Sequence, residues 1–151
     1  VIEFARSVVQ LRKANSAEFA PNTPDPVIDL LYDQDIKGDK GGTMRLGEYC
    51  CQLRKNSNAF KAYGVREVFE RHRHRYEFNN RYRIQLEEAG LKFSGLSPNG
   101  NLVEIIELES HPWFLAGQFH PEFKSSPMEP HPLFAAFIAH SRLRKNGEHT
   151  E

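Results

Sequence analysis

Cysteine is nearly absent: Cys50 and Cys51 are the only two in 151 residues. Sequence neighbours need a strained ring to pair with each other. The sequence therefore predicts free thiols, a reducing cytosolic setting and no Cys-rich zinc site. Net charge is missing too, since 20 basic and 20 acidic residues cancel, which removes any global drive toward nucleic acid or an anionic membrane. No apolar run reaches the ~20 residues that span a bilayer, and no signal peptide is visible. Internal repeats and low-complexity segments are lacking as well. What remains, 39% hydrophobic and 26% charged residues, is the composition of a globular protein with one sizeable core.

A start signal is also lacking. Residue 1 is Val1, and Val1–Val9 already carries a helical pattern with no Ser, Thr, Asp or Asn cap before it. The expectation is a chain cut from a longer one. Ile2, Ala5 and Val9 place an apolar face on a helix running to about Leu11. Residues 14–26 read as loop, Val27–Tyr32 as a strand, and Asp33–Gly42 as a mobile, Gly-rich surface segment. A strand follows within Thr43–Leu53, clearest over Tyr49–Leu53, then a short helix at Ser57–Tyr63 with Ser57 as its cap and Gly64 as its stop. Glu70–Phe78 reads as extended, and Asn79 caps a helix over Arg81–Ala89 that ends at Gly90. Leu91–Leu96 is a strand, and Leu102–Leu108 with Trp113–Phe119 forms an antiparallel hairpin. A last helix starts near Pro132 with Leu133, Phe134, Phe137 and Ile138 on its buried face. Strands mixed with helices give an α/β class.

The apolar run Trp113–Phe119 reads as a strand covered on both faces, and it ends in His120, Pro121 and Glu122. Pro121 has no N–H for a ladder, which leaves His120 at the strand end. In an extended chain His120 and Glu122 point to one side. Such a pair suits acid–base work, with an imidazole titrating near neutrality and a carboxylate fixing its tautomer. The competing reading is a strand-end histidine beside an exposed glutamate.

Along His72-Arg73-His74-Arg75-Tyr76-Glu77, His72 and His74 share one strand face and Arg73 and Arg75 the other. Four uses compete: a metal set of His72, His74 and His120; a nucleic-acid patch of Arg71, Arg73 and Arg75; a guanidinium fork for a substrate carboxylate; and a solvated, charged strand.

Three stretches carry a resemblance: Gly42-Thr43-Met44-Arg45-Leu46-Gly47, Glu70-Arg71-His72-Arg73-His74-Arg75-Tyr76-Glu77 and Phe119-His120-Pro121-Glu122-Phe123. In this order they resemble the glutaminase domain of the CTP synthases, which are class I, triad-type glutamine amidotransferases. Ala14–Phe19, Val103–Glu107 and His111–Phe114 resemble that family too. His-Pro-Glu is shared by many amidotransferases of this class, whereas the Thr-Met-Arg-Leu-Gly and His-Arg-His-Arg-Tyr stretches are more specific.

The resemblance implies a flavodoxin-like α/β domain with a central mixed sheet, incomplete at its N-terminus. Residues 1–144 would belong to the glutaminase domain and 145–151 to a polar tail. His120 would be the triad base and Glu122 its orienting carboxylate. Glu18 and Arg75 would contact the substrate, L-glutamine. Gly41–Gly47 would be a lid over the site that responds to GTP, with Thr43 and Arg45 as its candidate residues, and no metal is implied. The family's nucleophile is a cysteine in a Gly-x-Cys-x-Gly turn that would precede Val1, so Cys50 and Cys51 are expected to serve packing. The oxyanion donors of that turn would lie outside the chain as well, which implies an inactive fragment. So would the synthetase domain of the same polypeptide, which binds UTP, ATP and magnesium and takes up the ammonia. The family is cytoplasmic and homo-oligomeric, a tetramer when full length. Two other readings stand beside this one. One is another class I amidotransferase or a γ-glutamyl hydrolase, and the other is a non-catalytic pseudo-glutaminase serving as a binding module.

Overall fold

The computed structural model describes residues 1–30 and 44–145. In chain order the elements are α1 (Ile2–Ser7), β1 (Ala14–Ser16), β2 (Asp25–Leu30), β3 (Arg45–Leu53), α2 (Asn58–Tyr63), β4 (Glu67–His74), β5 (Tyr76–Phe78), α3 (Arg83–Glu88), β6 (Leu91–Leu96), β7 (Val103–Leu108), β8 (Leu115–Gly117) and α4 (Pro132–Lys145). Short 3-10 turns lie over Asn80–Tyr82 and Pro121–Lys124. The chain divides into two compact units. The first is Val1–Leu46 with Arg73–Leu91, and the second is Gly47–His72 with the chain from Lys92 onward.

The first unit holds a three-stranded mixed sheet in the order β1-β2-β5. β1 runs parallel to β2, Ala14 opposite Asp25, and β2 runs antiparallel to β5, Ile28 opposite Phe78. β1 falls inside the expected loop, because three residues among turn formers carry no readable alternation. α1 stops at Ser7 rather than near Leu11. Gln10 takes a positive φ of 65° and the Leu11 N–H turns back to the Ala5 carbonyl at 2.9 Å, which ends the helix. Arg6 Nε donates to the Ala14 carbonyl at 2.7 Å and ties α1 to β1. The Asn79 side chain accepts from Arg81 N–H at 3.1 Å and donates to the Pro26 carbonyl at 2.9 Å, so one residue starts the 3-10 turn before α3 and fastens it to β2. Val27, Phe78 and Leu86 are buried. Leu31, Tyr32, the segment Asp33–Gly42 and Thr43 lie outside the described residues.

The second unit is built on a five-stranded sheet in the order β4-β3-β6-β7-β8. β3 pairs antiparallel with β6, and β7 with β8. The sheet curls. Directly after β8, Gln118 N–H reaches the Glu104 carbonyl on β7 at 2.8 Å, and His120 N–H reaches the Arg71 carbonyl on β4 at 2.9 Å. Residues 118–120 thus bridge from one side of the sheet to its opposite edge. Cys51, Leu53, Ala59, Val68, Ile105, Phe119 and Leu133 form the core of this unit. A Cβ on Gly95 would lie 2.8 Å from both Cys51 Sγ and Ile105 Cγ1, so only glycine lets β6 pass there. α2 is capped as its sequence predicts: Ser57 Oγ accepts from Phe60 N–H at 3.0 Å, and Gly64 at φ 71° closes the helix.

Two expectations in this unit are corrected. Trp113–Phe119 is not a strand covered on both faces. Its regular part is β8, three residues at the sheet edge, with Ala116 and Gly117 exposed. On α4 only Leu133 is buried, while Phe134, Phe137 and Ile138 are 41%, 52% and 57% exposed. Apolar character marks a face that tends to be buried, but burial needs an opposing element, and α2 covers only a narrow strip of α4. Among the described residues no helix is long and apolar enough to cross a membrane.

Candidate functional site

His120 is placed by what precedes it. β8 delivers the chain to Phe119, 4% exposed, whose ring lies 6.0 Å from that of His72 and 6.5 Å from that of His131. With Phe119 anchored, the His120 N–H meets the Arg71 carbonyl. Pro121 then opens the 3-10 turn Pro121–Lys124, which brings Glu122 back under His120. The two residues therefore meet across one tight turn and not through the alternation of an extended strand. His120 Nδ1 and Glu122 Oε1 are 2.7 Å apart, and the side chains are 39% and 54% exposed. Lys124 closes the far end of the turn, donating to Glu48 Oε1 at 3.1 Å and to the Phe69 carbonyl.

The electrostatics suit a base. The Glu122 carboxyl is held below the ordinary glutamate range by its own backbone N–H and by the hydrogen bond from His120. An ionised Glu122 accepts only, so Nδ1 carries the proton and Nε2 carries the lone pair. The half-exposed imidazole can take a proton at Nε2 and return it.

Glu18 and Arg75 lie in the first unit. Glu18 is exposed in the turn after β1, its N–H bound to Ser16 Oγ at 3.2 Å. Arg75 is exposed at the bend between β4 and β5. Arg45 heads β3 with its side chain 12% exposed, and its guanidinium lies 3.3 Å from Glu77 Oε1. His74 Nδ1 is 3.3 Å from that same oxygen. Thr43 lies outside the described residues. The metal set weighed from the sequence is not assembled. His72 faces Glu104 at 3.6 Å, His74 faces Glu77, and His120 faces Glu122. Cys51 is fully buried in the core, and the Cys50 thiol is pushed up by burial and by Glu67.

The residues that the sequence does not reveal are those that hold His120. The Arg71 carbonyl is one, since a backbone acceptor leaves no trace in side-chain chemistry. The burial of Glu70, next to Arg71 on the same strand, is unannounced as well. Val68, Glu70 and His72 occupy the inward positions of β4, a period-2 pattern that was readable but is hidden by charged neighbours on both sides.

Residues 1–140 match the family described as Glutamine amidotransferase class-I. The chain is 59% identical over 147 residues to the CTP synthase of Moorella thermoacetica, a match covering 97% of this chain and 27% of that protein. With the CTP synthase of Geobacillus kaustophilus it shares 60% identity over 137 residues, 91% of this chain and 26% of that one. The chain thus spans about a quarter of the length of these relatives. Among solved structures it is similar to the Trypanosoma brucei CTPS glutaminase domain with bound acivicin, with a TM-score of 0.85 and 40% identity, covering 94% of this chain and 55% of that one. A putative GMP synthase subunit from Thermoplasma acidophilum shares the fold alone, with a TM-score of 0.53 and 20% identity over 71% of this chain and 49% of that one.

Proposed function

This chain belongs to the class I glutamine amidotransferases, and from that premise we propose that it is the glutaminase part of a CTP synthase. The observation that carries the reading is the His120–Glu122 pair at 2.7 Å, on a histidine whose own N–H is fastened to β4. The names of the similar proteins, CTP synthases in three of the four cases above, supply the rest. The domain would comprise residues 1–144.

In this reading L-glutamine binds as a zwitterion, its ammonium toward Glu18 and its carboxylate toward the Arg75 fork. A cysteine thiol gives its proton to His120 Nε2 and attacks the side-chain amide carbon. The C–N bond breaks as His120 returns that proton to the departing nitrogen, leaving a thioester and free ammonia. Water then attacks the thioester, releasing glutamate and restoring the thiol. Glu122 keeps the lone pair of His120 on Nε2 throughout. Cys50 and Cys51 do not fit the nucleophile, and that cysteine lies outside the residues of this chain. The ammonia serves ATP-dependent amination of UTP to CTP, the work of the rest of the polypeptide. Magnesium and homo-oligomer contacts belong there, in a cytoplasmic enzyme. Thr43 and Arg45 are the residues proposed to answer GTP.

The test is a graft. The segment of the Moorella enzyme that aligns with this chain is replaced by it, and CTP formation is measured with glutamine and with ammonia. Activity with both nitrogen sources is expected. Ammonia-dependent activity without any from glutamine would overturn the reading.

A further inference from the structure

Three side chains outside this chemistry meet inside the curl of the five-stranded sheet. Tyr63 Oη on α2 donates to Glu70 Oε1 on β4 at 2.7 Å, and His131 Nε2 lies 2.9 Å from the same oxygen. His131 Nδ1 accepts the Leu133 N–H at 3.2 Å at the start of α4. That bond fixes the tautomer. Nδ1 holds the lone pair, and Nε2 holds the proton that faces Glu70. Glu70 and His131 are each 2% exposed. The second carboxylate oxygen of Glu70 is buried and has no hydrogen-bond partner among the described residues.

As a stabilising device this network is poor. A buried oxygen without a partner is costly, and well-packed apolar side chains of the same volume would often serve stability as well or better. Its place in the fold supplies another purpose. Glu70 stands between Phe69 and Arg71, the two β4 residues whose carbonyls take Lys124 and His120. His131 packs on Phe119, the residue before His120. The Glu70–His131 contact therefore holds both the strand that offers the acceptor and the segment that carries the donor.

We infer that Tyr63, Glu70 and His131 form a positioning network for His120, fixing the β4 edge and the Phe119 ring between which the His120 backbone is suspended. The consequence for catalysis rests on His120 being the base proposed above; the mechanical coupling does not. The His120 N–H bond is the vulnerable point because it joins a turn to a sheet edge. The Gln118 N–H bond to Glu104, on an inner strand, is the internal control.

Amide hydrogen exchange by NMR on the full 151-residue chain reads this directly. In His131→Phe, which keeps an aromatic ring but removes the donor to Glu70, His120 amide protection should fall about tenfold or more while that of Gln118 stays within about twofold. Glu70→Gln, which still accepts from Tyr63 and His131, should retain most of the protection. Equal loss at Gln118 and His120 would make the network a plain stability element and overturn the proposal, as would unchanged protection at His120. Should His131→Phe fail to fold, Tyr63→Phe must show the same preference for His120 at smaller amplitude. In the Moorella graft, His131→Phe should lower kcat with glutamine, leave KM near its starting value and spare ammonia-dependent synthesis. A graft inactive with glutamine before any substitution would count against the glutaminase reading, while the exchange result would still decide the coupling.

Discussion

In the unit formed by Gly47–His72 and the chain from Lys92 onward, His120 is held by its backbone N–H on Arg71, by Glu122 on its ring and by the buried Phe119 before it. In the unit formed by Val1–Leu46 and Arg73–Leu91, Glu18 and Arg75 stand exposed on a turn and a bend, Glu18 tethered through its backbone N–H. The difference follows the chemistry each group would perform. A general base loses its effect if its lone pair is misplaced by a fraction of an ångström or if the wrong tautomer is present. Ionic groups that grip the ends of a flexible zwitterion need reach, and exposed side chains on turns provide it. In the proposed reading, fixed chemistry and adaptable recognition would be carried by different units, and each can be tested without the other.

The largest effect should come from the fixed side. In the Moorella graft, His120→Asn should cut glutamine-dependent CTP formation by about 10²–10⁴-fold, the usual worth of a positioned acid–base group, and leave ammonia-dependent formation intact. Glu122→Gln should produce a smaller loss with the same selectivity, because an amide N–H facing Nδ1 favours the tautomer with its lone pair on the wrong nitrogen. The sign of the pH response follows from the same pair. The carboxyl of Glu122 is depressed, so its hold on His120 is complete at neutral pH and is lost as pH falls through that lowered value, below the ordinary glutamate range. ¹⁵N shifts of the His120 ring across an acid titration check this. Equal losses with both nitrogen sources would remove His120 and Glu122 from the glutaminase site.

A smaller effect belongs to the adaptable side. Arg75→Lys should raise the glutamine KM by about tenfold with kcat little changed, since an ammonium keeps the charge but not the planar fork. Steady-state kinetics on the graft read it. Unchanged KM would return Arg75 to a solvated strand residue and break the division between the units.

Legibility in the sequence follows the same line. β6 was readable to the residue, and α2 with its Ser57 cap and Gly64 stop, because their signals are local. The proximity of His120 and Glu122 was readable from two residues' spacing, although the 3-10 turn that joins them was not. What was hidden depends on partners remote in sequence. β1 exists only through its pairing with β2, and the exposure of Phe134, Phe137 and Ile138 depends on what α4 meets. The β4 carbonyl that holds His120 depends on the sheet curling until residues 71 and 120 meet. Side-chain patterns announce elements; they do not announce which backbone atom will face a loop from across a sheet.

The smallest expected effect is none at all. Incubated with 6-diazo-5-oxonorleucine, the 151-residue chain should acquire no covalent adduct at either cysteine, as read by intact mass and peptide mapping. A thiol traps such a glutamine analogue when it is a thiolate within reach of the bound reagent and beside a base. Cys51 has no exposed surface and its sulfur sits where a Cβ on Gly95 would intrude. Cys50 is more accessible, but its thiol is pushed up by burial and by the neighbouring Glu67, which keeps it protonated at neutral pH. Even with glutamine held at Glu18 and Arg75 and His120 acting as base, as proposed, the attack itself would still be missing. Equal, slow labelling of Cys50 in native chain and in His120→Asn would be ordinary thiol reactivity and would leave the assignment standing. Stoichiometric labelling of Cys50 or Cys51 that disappears in His120→Asn would place the nucleophile inside this chain and overturn the separation of base and nucleophile on which the proposed chemistry depends.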